Sequence, residues 1–338
     1  FILGFLVVVV GGSLLLYASR AAVIGSRVRF GLLSREAVIL VNNIVLVIAM
    51  SLVVLGTLYP LAYEAVTGGG KISVGVPYFN AGFVPLMLVL AAALGVVPAL
   101  RWKRGDWRDM LRRLRWMAVG SLVLGVGIPL LVGGAVVWQV AVTLVLAFWI
   151  IGVHGRDLLM RLRVGLRRIP LGYWGMLAGH VGFAFALLGV AFTTQLSVEK
   201  DLRMSPGEVV IVRDVAFEFV GVGRVAGPNY QAERGTFSVL EGSTRIVLQP
   251  EKRRYLAGGS VMTEAAIDAG FTRDLYVSLG ESLGDGDWAV RIQVKPFVRW
   301  IWFGGLLMAF GGVVAVFDAR YRRLRKRLEV TAGAETVA

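Results

Sequence analysis

The stretch GYWGMLAGHVGFAFALLGVAF, Gly172 to Phe192, decides the architecture. It is apolar and long enough to cross a hydrocarbon core as a helix, which takes about 20 residues. Its one ionisable residue, His180, lies near the middle. Similar runs recur along the chain. Of 338 residues 57% are hydrophobic, against about 45–50% in a soluble domain. We therefore read an α-helical membrane protein with about seven transmembrane helices, roughly 1–17, 37–63, 81–100, 116–132, 135–153, 173–195 and 298–317. VGGA, Val132 to Ala135, reads as a tight turn between the fourth and fifth spans.

One long segment differs. Between Leu196 and Phe297 apolar residues alternate with polar ones, as in EVVIVRDVAFEFVGVGRV and WAVRIQVKPF. Period-two alternation marks half-buried strands, and SPG, AGPN, LAGG and LGDGD supply turns. An inserted, mostly antiparallel all-β domain is expected there, large enough for its own core. The resulting organisation is a helical bundle over 1–195 with six spans, a β domain over 196–297, a last transmembrane helix over 298–317 and a tail over 318–338. A second loop, Glu64 to Asn80, is Gly-rich.

The net charge of +14 does not indicate nucleic acid. Segments 18–36, 101–116, 154–172 and 318–338 hold 22 of the 36 Lys and Arg. Basic residues gathered in short segments beside spans report orientation, with some attraction to anionic lipid. Placing them on the cytoplasmic side puts Phe1 outside, the β domain extracytoplasmic and the C-terminus cytoplasmic. The chain opens without Met or a basic n-region, so residues 1–17 read as a true span whose preceding segment is missing. There is no cysteine; any thiol chemistry uses a partner's thiols.

An ionisable residue within a span is costly and points to function. Imidazole accepts protons, donates hydrogen bonds and binds metals. Gly175, Gly179, Gly182, Ala186 and Gly189 form a side-chain-free stripe on the same helix. Two readings stand: close helix packing, or room for a flat cofactor with His180 as the axial ligand of a haem iron. A proton relay would want a second group in the membrane. His154, in WIIGVHGRDLLMRLR, reads as an interfacial polar residue. RWKRGDWRDMLRRLRW, 101–116, reads as an amphipathic connector lying on the membrane surface. VRWIWFGG and PYFN read as interfacial aromatic belts. Asn42 and Asn43 need partners, either across a helix interface or on a bound cofactor's carboxylates, with Arg35 and Glu36 at the entrance to their span. TGGGK lacks the rest of a phosphate loop.

In order along the chain, SREAVILVNN, LGTLYPL, KISVGVPYFN, GMLAGHVGFAFALLGVAF, QPEKRRY, MTEAAID, RDLYVSLGE and WAVRIQVKPFVRWIWFGGLLMAFGG resemble the C-terminal half of the CcmF cytochrome c-type biogenesis proteins. That family is the membrane haem lyase subunit of System I. The resemblance implies a multi-pass bacterial inner-membrane protein with a b-type haem (haem b) ligated by two histidines on different spans. His180 matches the later one, with Gly179 where the family usually has Ala. The resemblance places the other ligand, the Trp-rich WWD segment and its two flanking histidines before Phe1, so this chain looks like a fragment or one half of a split lyase. It further implies delivery of haem by a CcmE-type chaperone and presentation of a CXXCH segment of apocytochrome c by CcmH/CcmI-type subunits. Two thioether bonds then form, with the membrane haem as reductant. The paralogous NrfE-like lyase fits the same motifs. A non-catalytic scaffold or a transporter is the alternative from another class, although no internal repeat is seen, while Pro85, Pro98 and Pro129 do interrupt spans.

Overall fold

The computed structural model describes residues 2–24, 31–100, 102, 106–133 and 137–318. Among them are seven helices long and apolar enough to cross a membrane. These are α1 (Ile2–Ile24), α2 (Arg35–Thr67), α3 (Val76–Val96), α4 (Trp107–Gly133), α5 (Trp138–Val164), α6 (Leu171–Leu196) and α7 (Val298–Val316). Ten strands lie between α6 and α7. The chain divides into two compact units, Phe1–Val119 and Gly120–Ala338. The expected tail over 318–338 lies, beyond Asp318, outside the described residues, as do 134–136 of the expected turn between α4 and α5.

In the first unit, Ser34 caps α2 by accepting the Ala37 N–H at 3.2 Å, and Glu36 suits the positive end of the helix dipole. α2 stops at Gly68, whose φ of +68° favours glycine. Pro77 opens α3, where a missing N–H costs nothing. The expected loop from Glu64 to Asn80 is thus shorter than the Gly-rich composition suggested. Gly56 makes room for Tyr78 and Phe79 of α3, and a Cβ there would stand 2.5 Å from Tyr78. The Tyr78 hydroxyl donates to the Leu52 carbonyl at 3.1 Å, so PYFN packs α2 against α3 rather than serving only as a belt. Asn42 donates to its neighbour Asn43 at 3.2 Å. Neither amide bonds to another helix among the described residues.

The basic stretch 101–116 is also corrected. From Trp107 onward it is the opening of α4 itself. Asp106 Oδ1 accepts the Arg108 N–H at 2.9 Å, and Asp109 and Arg113 pair at 2.9 Å one turn apart. No turn residue breaks the helix before Trp116, so it runs straight into the apolar span.

In the second unit the strands form two antiparallel sheets. One has the order β1 (Val198–Met204), β10 (Asp287–Pro296), β9 (Arg273–Gly284), β8 (Ala266–Ala269). The other runs β2 (Val209–Val212), β3 (Val215–Ala226), β4 (Tyr230–Glu241), β6 (Glu251–Tyr255), β7 (Val261–Glu264), with β5 (Thr244–Leu248) also on β4. Alternate residues of both sheets face one core. Phe217, Phe219 and Phe237 meet Leu275, Val277, Leu279 and Ile292, each with no exposed surface. The alternation read from the sequence is the alternation of this sandwich.

β1 pairs with β10, with Val198 opposite Val294. The inserted domain therefore leaves beside where it enters, and the end of α6 meets the start of α7. The Thr193 hydroxyl donates to the Pro296 carbonyl at 2.8 Å. Trp300 packs among Phe185, Phe192, Phe271 and Phe297 with ring centroids 4.9–6.4 Å away. Only part of VRWIWFGG thus behaves as a belt: Trp300 faces inward while Trp302 is 74% exposed. At the other end of the pair, Asp318 accepts the Gly172 N–H at 2.7 Å and satisfies an otherwise unpartnered donor of α6.

Ion pairs brace the sandwich. Glu251, 5% exposed, accepts from Arg234 at 2.6 Å and Arg253 at 2.7 Å. Burial pushes its carboxyl up, but the two guanidiniums outweigh this and hold it below the ordinary range. Hydrogen bonds from Arg273 lower Glu241 likewise. A depressed folded-state pKa contributes stability above the unfolded value of about 4.3. That contribution is lost as pH falls through the lowered value. Hydrogen-exchange protection of β4 and β6 is expected to hold steady above about pH 5 and to fall below about pH 4. A Glu251→Gln variant should show a flatter decline; an equal decline would mean that Glu251 carries none of it.

Candidate functional site

The site is built by a helical hairpin and a third helix. α5 runs on past the apolar stretch to Val164, then Gly165 to Pro170 turn the chain into α6. A connection this short makes α5 and α6 antiparallel neighbours. His154 lies ten residues before the end of α5 and His180 nine residues after the start of α6. At 1.5 Å per residue each is about 14–15 Å from the turn, so the two come level.

His154 is fully buried, and its Nε2 lies 2.7 Å from His180 Nδ1. The rings meet edge to face, with centroids 4.7 Å apart. This corrects the reading of His154 as an interfacial residue. The apolar run had suggested that the span ends at 153, but the helix continues for three more turns. One signal in the sequence could have shown this: two histidines equidistant from a short turn between helices.

The hydrogen bonds decide the tautomers. His154 Nδ1 lies 2.9 Å from the Ile150 carbonyl. A carbonyl only accepts, so that nitrogen carries the proton. In neutral His154, Nε2 is then the acceptor, and His180 Nδ1 must be the donor. His180 Nε2 is left with a lone pair and makes no hydrogen bond among the described residues.

The glycine stripe takes the plainer of its two readings. A Cβ on Gly182 would stand 2.7 Å from the Gly304 carbonyl oxygen and 2.8 Å from the Met308 nitrogen. One on Gly175 would meet Gly311 at 2.6 Å, and one on Gly189 would meet Ile301 at 2.7 Å. From α7, Gly304 and Gly311 reciprocate against Gly182, Ala186 and Gly179. At Gly175, Gly182 and Gly189 the stripe is filled by α7, backbone against backbone, and leaves no slot for a flat cofactor at those positions. Small residues serve this role where lipid removes the hydrophobic drive for helices to associate.

A haem still fits the histidine. Among the described residues no three His, Cys, Asp or Glu gather to hold a bare ion. Three of the four ring nitrogens of the pair are engaged, leaving one donor. One imidazole nitrogen suits one axial position of an iron whose in-plane ligands come from its macrocycle. His180 is partly exposed. Gly179 before it and Gly155 after His154 both have open space where a Cβ would stand. The groove of about 900 Å³ elsewhere in this unit belongs to the β domain, between Arg224, Glu233, Lys252, Arg254 and Glu281.

Comparison with known proteins places the fold in a family. The family described as CcmF C-terminal beta-sandwich matches residues 195–296. The cytochrome c-type biogenesis protein CcmF of Pseudomonas fluorescens is 47% identical over 340 residues, covering 98% of this chain and 51% of that protein. CcmF of Escherichia coli K12 is 46% identical over 324 residues, 96% of this chain and 50% of its own length. The cytochrome c-type biogenesis protein NrfE of Haemophilus influenzae is 33% identical over 312 residues, 88% and 46%. A solved structure named Cytochrome c Heme Lyase CcmF shares the fold, with a TM-score of 0.66 at 24% identity over 85% of this chain and 46% of that one. The chain spans about half the length of the curated relatives it matches. With its apolar helices, its inserted β-sandwich and a similarity along nearly all of its residues, the chain belongs to the CcmF family and corresponds to the C-terminal half of its members.

Proposed function

We propose that the chain is part of a cytochrome c haem lyase and that His180 is an axial ligand of a membrane-embedded haem b. The observation that carries this is His180 Nε2, a ring nitrogen within a membrane helix, with its lone pair free and its other nitrogen held. A second ligand would come from a span beyond these residues. The bound haem would supply electrons to the haem that is being attached. The chain's own residues hold the imidazole at fixed depth, through the α5–α6 turn and the α6–α7 seam, and surround it with apolar helices that restrict water.

In this reading haem comes from a CcmE-type chaperone, and CcmH/CcmI-type subunits present the CXXCH thiols of apocytochrome c. The absence of cysteine from this chain accords with thiols supplied by the substrate. Residues 1–195 and 298–317 carry the spans that cross the bacterial inner membrane. The 196–297 domain lies on the periplasmic side, where partners dock, and the 318–338 tail is cytoplasmic. Identity of 46–47% to CcmF proteins against 33% to NrfE favours the CcmF substrate over that of the NrfE paralogue.

The test is an optical spectrum of the full-length protein, oxidised and dithionite-reduced, beside His180→Ala. The reduced b-type band is expected to vanish or shift in the variant. Identical spectra would remove His180 as a ligand.

A further inference from the structure

We propose that His154 is a positioning residue for this site: it accepts a hydrogen bond from His180 Nδ1–H and thereby sets the tautomer, orientation and donor strength of the ligand nitrogen. This rests on the reading of His180 as a haem ligand. Three links carry it. The Ile150 carbonyl, 2.9 Å from His154 Nδ1, fixes the proton on that nitrogen. His154 Nε2, 2.7 Å from His180 Nδ1, is then an acceptor. His154 itself has no exposed surface, so neither water nor a rotamer change replaces it cheaply.

Without an acceptor at His154, either nitrogen of His180 could hold the proton, and half of that choice blocks metal binding. With one, Nε2 is the bare nitrogen before any metal arrives. A hydrogen-bond acceptor on the far nitrogen also makes a ligating imidazole a stronger donor. Stronger donation favours ferric over ferrous iron and lowers the midpoint potential. The ring of His154 faces its partner edge to face, at 89° between planes, so its Nε2 lone pair is directed at one nitrogen and the His180 ring plane is held. The pair is a carrier of orientation and electron density, and no proton needs to leave it.

The experiment is an equilibrium redox titration of the full-length protein, with haem content, for wild type, His180→Ala, His154→Leu and His154→Gln. Leucine fills the space with no acceptor, while the glutamine carbonyl can still accept. His154→Leu is expected to keep its haem but to favour the ferrous state at least tenfold more than wild type, an upward shift of about 59 mV for one electron. His154→Gln should lie near wild type. If His180→Ala loses the haem while His154→Leu titrates like wild type, His154 has no positioning role and the ligand reading stands. If His180→Ala keeps the wild-type spectrum, both fall. Should His154→Leu not accumulate, His154→Asn takes its place, since its amide ends short of His180. A potential raised in Asn and not in Gln supports the proposal, and equal potentials in the two overturn it.

Discussion

Gly182→Leu is expected to abolish the α6–α7 pairing and with it the folded protein. The substituted side chain would begin 2.7 Å from the Gly304 carbonyl oxygen and 2.8 Å from the Met308 nitrogen. These are backbone atoms of a helix, so no rotamer change relieves the clash and the helices must separate. Separation would also strain the Thr193–Pro296 and Asp318–Gly172 hydrogen bonds that pin the two ends of the pair. Overpacking of a well-packed interior costs about 1–3 kcal/mol, and here the whole seam is forced open. The amount of folded, monodisperse protein in detergent measures it. Gly312→Leu, with nothing within 4 Å of its Cβ position, is the control and should accumulate normally. Equal yields of the two would mean that the seam contributes little.

Phe217→Ala is expected to unfold the sandwich at a much lower temperature while leaving the helices formed. Phe217 has no exposed surface, and Phe219 and Phe237 beside it in the core have none either. Truncating a buried Phe costs about 3–5 kcal/mol, a large share of the roughly 5–15 kcal/mol that holds a domain together. At about 4–8 °C per kcal/mol for a domain near 100 residues, the strands should lose protection roughly 12 °C or more below wild type. Temperature-dependent hydrogen exchange of β3, β4, β9 and β10 measures this. Ile211→Ala, on the 63% exposed side of β2, should change it little. If both variants behaved alike, the core described here would not be what stabilises the domain.

The helices and the sandwich were legible because their signals are local. A span must satisfy its own backbone in lipid, so an apolar run announces itself, and a half-buried strand writes its two faces as alternation. Boundaries were harder. α4 and α5 both run further into basic sequence than hydropathy indicates, because Arg and Asp are good enough helix residues when paired one turn apart, as in Asp109–Arg113 and Asp157–Arg161. That misplaced end is what kept His154 from view.

The residues alone determined that the chain crosses a membrane, carries a β domain between its last two spans and holds one histidine within α6. They also left the glycine stripe open between packing and a cofactor slot. Only the tertiary structure decided that α7, more than a hundred residues further on, fills the stripe, and that His154 of α5 meets His180 of α6. Both are questions of register between helices. Register depends on where a short turn starts and on which backbones approach closest, and neither is written in the periodicity of a single segment.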